Sequence, residues 1–375
     1  MISADTNPIA AEGPAERAQA ISQRLCDLGA RYDAAPVFPI ESVKLLRDAG
    51  LLRTFAPIDA GGETFPDRQR QYACMMSVLR IIGRTDLSLG RLYEGHVNAL
   101  LLFDRFGTPV QRSVLSRKLI AGALYGVWAT EPPPGVRLVA REDGWMLDGA
   151  KCFASGAGGL MHAIVTARPV DGSRRLVIAD GGDPARADLS QWRVRGMRAS
   201  GSGRYDLSEM AVSQNELLGA AGDYDREPDF TTGAWRFTAV QLGGVEALLT
   251  ETRDAMSPVA REDPLQRAKF ADAVAATRTA FLWVRECAAR AASRDVDGPA
   301  FARMTRGIVE RAALDVMELA ARLIGTRSAV DGQRIDKIIR DLSLYLRQAG
   351  PDHAKDQAAM AWLDHDVWGE GDRLW

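Results

Sequence analysis

The chain has 375 residues, 46% of them apolar, and a net charge of −2, enough for two or three packed layers or domains around a substantial core. So balanced a charge excludes a non-specific nucleic-acid or acidic-membrane surface. No apolar run approaches the roughly 20 residues needed to span a bilayer. Of the 47 basic residues only six are lysine, an excess of arginine read here as coding bias before phosphate recognition. Cys26, Cys74, Cys152 and Cys287, like His96, His162, His353 and His365, are scattered without metal-ligand spacing, so no metal site is expected. Reduced thiols and the polar start MISADTNPIAAEGPAER, which has no secretory pattern, give the expectation of a soluble, cytoplasmic protein.

From about residue 10 to 122 the apolar residues recur at helical spacing. In FPIESVKLLRDAGLL, Ile40, Val43 and Leu46 share one face, Pro39 suits a first turn and Gly50 a stop. Further helices are expected at Tyr72–Ile82, across LSLGRLYEGHVNALLLFDRFG, and in PVQRSVLSRKLIAG. Near Tyr125 the period changes. VRLVAREDGWMLDGAKCFAS carries Asp143-Gly144, a two-residue hairpin signal. HAIVTARPV, RRLVIAD, QWRVRGMRAS and RYDLSEMAV follow as short strands. The helical period returns at about residue 234, in four long stretches that end with RIDKIIRDLSLYLRQ, and predicts an antiparallel bundle. After it, the stretch YLRQAGPDH reads as a helix stop followed by a loop that carries chemistry. The expected fold is α+β: an N-terminal all-α domain (1–124), a middle antiparallel β domain (125–225) and a C-terminal four-helix bundle (226–375).

SGAGGL and ASGSGRYD are glycine-rich but lack the third glycine and the βαβ setting of a dinucleotide fold. No GxxxxGK[ST] or GxSxG motif occurs. The order of other blocks is informative. FPIESVKLLRDAGLLRTFAPIDAGGE, VWATEP (127–132), DGAKCFASGAGG (148–159), MRASGSGRYDLSEMAVSQNELLG (197–219) and IIRDL, so spaced, resemble the acyl-CoA dehydrogenase flavoprotein superfamily over nearly the whole chain. The resemblance implies an FAD-dependent oxidoreductase and a homo-oligomer, dimer or tetramer. Its FAD would lie between the β domain and the bundle, the AMP end reaching a neighbouring subunit. Trp128, Ala129 and Thr130 would lie beside the isoalloxazine, with Phe153 and Ser155 against its other side near N5. An apolar slot with a few donors suits such a ring; the bland alternative is that Trp128 and Phe153 are core. ARLIGT (321–326) resembles a segment along the neighbour's pyrophosphate and adenine, which brings Arg322 and Gly325 into the cofactor set. Arg253, Arg261 and Arg267 compete for the pyrophosphate with the reading of solvated helix charges.

The family's α-proton abstraction needs a carboxylate from one of two places. Counting from Arg340-Asp341 puts the first on Ala349; counting back from LGG puts the second on Ala234 or Trp235. Neither is a carboxylate, and the family's CoA-contacting loop is replaced by the shorter, proline-stiffened PPPGVRLVARED. The chain therefore resembles an atypical acyl-CoA dehydrogenase acting on a small-molecule or acyl-thioester substrate. The alternatives are a two-component flavin monooxygenase of the same fold, served by a flavin reductase, and a catalytically silent flavin-binding or scaffold subunit. Ser155 and His353 are the catalytic candidates: Ser155 as a hydrogen-bond partner of flavin N5, His353 as a proton donor or a contact to the flavin's ribityl or diphosphate chain. His353 is otherwise a surface residue past a helix stop. His96 reads as a satisfied core or surface histidine, His162 as non-catalytic, Glu131 as a structural acceptor. Glu246 would reach substrate only in a different helix register.

Overall fold

Six helices open the chain: α1 (Pro14–Ala20), α2 (Ser22–Ala34), α3 (Ile40–Asp48), α4 (Arg68–Thr85), α5 (Leu87–Phe106) and α6 (Pro109–Ile120). The structure, a computed structural model, describes residues 13–170, 172–348, 350–369 and 374. Side chains at the helix starts satisfy the first free amides: Asp67 accepts from the Arg70 amide at 2.7 Å, Asp86 from that of Leu89 at 2.6 Å. Thr108 and Gln111 cap each other reciprocally ahead of Pro109. Helix α5 is buried over most of its length, polar Glu94 and His96 included, and forms the spine on which the other parts meet.

The β region contains β1 (Tyr125–Trp128), β2 (Arg137–Arg141), β3 (Gly144–Asp148), β4 (Ala150–Ala154), β5 (His162–Pro169), β6 (Arg175–Asp180), β7 (Ala187–Asp188), β8 (Gly203–Asp206), β9 (Met210–Val212) and β10 (Leu217–Leu218). One sheet runs β10-β6-β5-β2-β3-β9 with β1 on β5; a second runs β4-β8-β7. The pairing is mostly antiparallel, as the alternation implies, but β1 and β2 each lie parallel to β5. The expected hairpin is present, with Arg141 opposite Gly144 and the turn at Glu142-Asp143, one residue earlier than the Asp-Gly signal. QWRVRGMRAS is not a strand. Its backbone is used elsewhere: the Met197 amide donates to Asp341 at 2.5 Å, Ser200 Oγ donates to the Met197 carbonyl, and the segment closes as a 3₁₀ turn, Arg198–Ser200.

The last part holds α7 (Asp229–Thr232), α8 (Trp235–Ala255), α9 (Pro258–Glu262), α10 (Pro264–Ser293), α11 (Gly298–Ile324), α12 (Arg334–Tyr345) and α13 (Pro351–Asp364). The long helices α8, α10, α11 and α12 are the four expected. The loop expected after them is short, because the proline read as a stop begins α13 at its first position, where a missing amide costs nothing. Helices α4 and α8 touch backbone to backbone: a Cβ on Gly83 would lie 2.2 Å from the Val240 carbonyl oxygen, and one on Gly243 2.2 Å from that of Arg80. Helix α12 is locked between the other two regions. Lys337 Nζ sits 2.6 Å from both Asp86 and Asp341, while Arg340 pairs with Asp33 and Asp336 and donates to the Arg195 carbonyl.

Candidate active site

A cavity of about 570 Å³ opens where α5, the end of β1, the 223–237 segment, α11 and the start of α13 converge. Its apolar wall includes Leu101, Leu102, Phe106, Tyr224, Phe230 and Trp235. Trp235 packs on Tyr72, tilted, at 5.5 Å between ring centroids, and among the described residues its buried Nε1 has no partner. The polar wall comes from residues that sequence reasoning passed over. Glu94 reaches in from α5, is almost fully buried, and pairs with Arg91 at 2.7 Å and Arg236 at 3.6 Å. Asp229 pairs with Arg105 at 2.8 Å and Arg294 at 2.9 Å. Asp223 accepts from the Ala220 amide and pairs with Arg226 at 3.1 Å. Arg303 and Arg306 enter from α11. The only hint of Glu94 in the sequence was that LYEGHVNALLL puts a carboxylate on an otherwise buried helix.

The predicted site residues divide into three places. Ala129, Thr130 and His353 line this cavity; His353 is exposed in the first turn of α13. Trp128 and Ser155 line a small void of about 10 Å³, which shares Arg91, Gly95 and Val127 with the main cavity. Trp128 is buried, packs on Tyr205 at 5.0 Å, and donates from Nε1 to the Ser155 carbonyl at 3.1 Å. Ser155 is buried, and its hydroxyl joins a chain through Ser202 (2.8 Å) and Ser200 (2.9 Å) to the Met197 carbonyl. Phe153, two residues away, is 65% exposed with a φ of 52°, an outward aromatic in a conformation that side chains rarely adopt. Arg322 and Gly325 lie apart from the cavity. Arg322 is exposed and paired with Glu318; Gly325 caps α11 with a φ of 63°. Arg261 and Arg267 donate to nearby backbone carbonyls and Arg253 pairs with its neighbour Asp254.

Of the two positions expected to lack a base, Ala234 and Trp235 line the cavity at the start of α8; Ala349 lies outside the described residues. Glu246 faces away, paired with Arg80 at 2.9 Å. Glu131 binds fully buried Lys151, which also donates to Thr166 at 2.8 Å. His96 is a satisfied core histidine: its Nδ1 accepts from the Tyr125 amide at 3.0 Å, so Nε2 carries the proton donated to the Leu52 carbonyl at 2.8 Å. Burial lowers its pKa to about 4. His162 opens β5 with Nε2 buried and unpartnered. The described residues contain no cluster able to hold a metal and no helix long and apolar enough to cross a membrane.

This arrangement of helices, sheet and helices is shared with known proteins. Residues 229–355 match the family model of the acyl-CoA dehydrogenase C-terminal domain. The chain as a whole has the acyl-CoA dehydrogenase fold. It is 23% identical to a dibenzothiophene monooxygenase of Mycolicibacterium goodii over 88% of each chain. It is likewise 23% identical to cyclohex-1-ene-1-carbonyl-CoA dehydrogenase of Syntrophus aciditrophicus, over 82% of this chain and 78% of the relative. FMN-bound TdsC from Paenibacillus sp. A11-2 superposes with a TM-score of 0.84 at 19% identity, covering 94% of this chain and 97% of that one.

Proposed function

We propose that this protein is a flavin-dependent oxidoreductase of the monooxygenase type rather than an α,β-dehydrogenase. The observation that carries the reading is the state of the cavity's carboxylates. Glu94, Asp223 and Asp229 are each already held in an ion pair, and a general base must be free to reach the proton it removes. The likeness to a monooxygenase along 88% of the chain supports the same reading.

A flavin suits the residues present. Ala129 and Thr130 offer backbone and a hydroxyl to the cavity, Phe153 an exposed aromatic two residues from Ser155, and Ser155 a hydroxyl fixed by Ser202 in the adjoining void. When bound, the flavin would supply electron transfer and, once reduced, the activation of O₂. This chain's part is to orient and enclose. Trp128 fixes the Ser155 backbone, the serine chain sets the direction of the Ser155 hydroxyl, and the aromatic wall excludes water from the reacting face. His353, at the rim, is placed to exchange a proton with solvent. We read FMN as the natural form, since TdsC, which shares the fold, is FMN-bound. A flavin reductase would then deliver the reduced cofactor.

The test is to load the protein with FMN and with FAD in parallel, then follow two reactions. Under anaerobic conditions, a panel of acyl-CoAs should leave the flavin oxidised. After chemical reduction, exposure to O₂ should yield a transient absorbing species that outlives the oxidation of free reduced flavin. Bleaching by any acyl-CoA would overturn the proposal, and so would direct reoxidation with no transient. Failure of both flavins to bind would leave the silent-subunit reading in its place.

A further inference from the structure

The cavity carries guanidinium groups that no carboxylate of the described residues pairs directly. Each of its three carboxylates is spoken for by Arg91 and Arg236, by Arg105 and Arg294, or by Arg226. Two guanidiniums remain, Arg303 and Arg306, three residues apart and so on one face of α11. Among the described residues Arg303 reaches the Thr231 hydroxyl at 3.5 Å and no carboxylate. Arg306 is 5% exposed and donates from Nη2 to the Gln348 carbonyl, and its Nε and Nη1 have no partner. Among the described residues neither arginine has a carboxylate within ion-pair distance; burial pushes the Arg306 pKa down from its usual value, and the more distant carboxylates of Glu310 and Asp352 offset this only in part. A buried cation without a direct ion-pair partner is costly and is retained where something else completes it. The Nε1 of Trp235, also on the cavity wall, is a further donor without an acceptor.

We propose that Arg303 and Arg306 form an oxyanion subsite, so that this cavity takes an organic substrate bearing a carboxylate or sulfonate on an apolar body. The planar, forked guanidinium matches a carboxylate or sulfonate in two-point contact, and Phe106, Tyr224, Phe230 and Trp235 supply the apolar surround. The substrate assignment rests on the flavin reading above. The same chemistry has a second source, the phosphate of FMN, and the experiment separates the two.

Calorimetry on the FMN-loaded protein with benzenesulfonate, and with neutral methyl phenyl sulfone of the same shape, reads the subsite. Benzenesulfonate should bind, the sulfone at least tenfold more weakly. Arg303→Ala should weaken benzenesulfonate about 10- to 100-fold, the usual loss of a charge-assisted hydrogen bond. Arg306→Lys keeps a charge but loses the fork and should show a smaller loss; it guards against misfolding of a variant that removes the Gln348 contact. If instead Arg303→Ala weakens FMN but not riboflavin, and benzenesulfonate competes with FMN for the empty protein, the oxyanion bound is the cofactor's phosphate and the substrate assignment falls. If benzenesulfonate and benzoate bind no better than the sulfone, or bind the variants as well as the parent, the subsite is refuted. A protein that takes no flavin yet binds benzenesulfonate through Arg303 would refute the flavin reading and leave the subsite standing.

Discussion

Acid should destabilise this protein through one buried imidazole. His96 joins α5 to the start of β1 and to the Leu52 carbonyl, and it can do so only as the neutral ring that accepts at Nδ1 and donates at Nε2. Its pKa is about 4 in the folded protein against an ordinary 6.5, so between these pH values the unfolded chain binds the proton and the folded one does not. Stability then falls as pH falls. The difference between those values amounts to about 3 kcal/mol of stability, roughly half of it lost between pH 6.5 and 5, before most carboxylates titrate. Urea unfolding at half-unit steps across that window, for the parent and for His96→Gln, reads the contribution as the difference in slope. Glutamine keeps a donor and an acceptor but cannot ionise, so the variant should start less stable at pH 7 and lose less on acidification. Equal slopes for the two proteins would refute the buried-neutral assignment.

Lys337→Met should cost about 3–5 kcal/mol in urea unfolding at pH 8, because it leaves Asp86 and Asp341 facing each other without their shared cation; the deficit should shrink towards pH 5 as one carboxyl takes a proton, and a constant deficit would mean a packing defect only. Glu94→Gln should lower stability by about 2–3 kcal/mol, below the full cost of breaking a buried pair because Arg91 and Arg236 keep some contact with water. Loss of turnover with unchanged unfolding would instead make Glu94 a catalytic base. Ser155→Ala should cost no more than about 1 kcal/mol, since Ser202 keeps its bond to Ser200. In the flavin-loaded protein it should shift the visible spectrum or shorten the oxygen-dependent transient several-fold, and an unchanged spectrum and lifetime would remove Ser155 from the site.

What the sequence declared and what it concealed follow from the range of the forces involved. Helices and hairpins are written in local periodicity, which is why α3 to α6 and the four long bundle helices could be read directly. The QWRVRGMRAS segment misled because its backbone partner, Asp341, lies 144 residues further along. GPDH misled because glycine and proline mark both the end of one helix and the start of the next. The cavity's arginines were hidden for a different reason. With only six lysines among 47 basic residues, Arg303 and Arg306 look like any pair of solvated helix charges, and α11 also carries exposed Arg311 and Arg322, each paired four residues away with Asp315 or Glu318. Nothing in residue type separates the two sets. What separates them is that Arg311 and Arg322 reach a carboxylate through water-exposed space, whereas Arg306 is buried with two nitrogens unmatched. In a chain this rich in arginine, function is therefore to be sought in cations that have lost water without gaining a direct ion pair. By that measure α11 is the element on which the proposed oxyanion subsite lies.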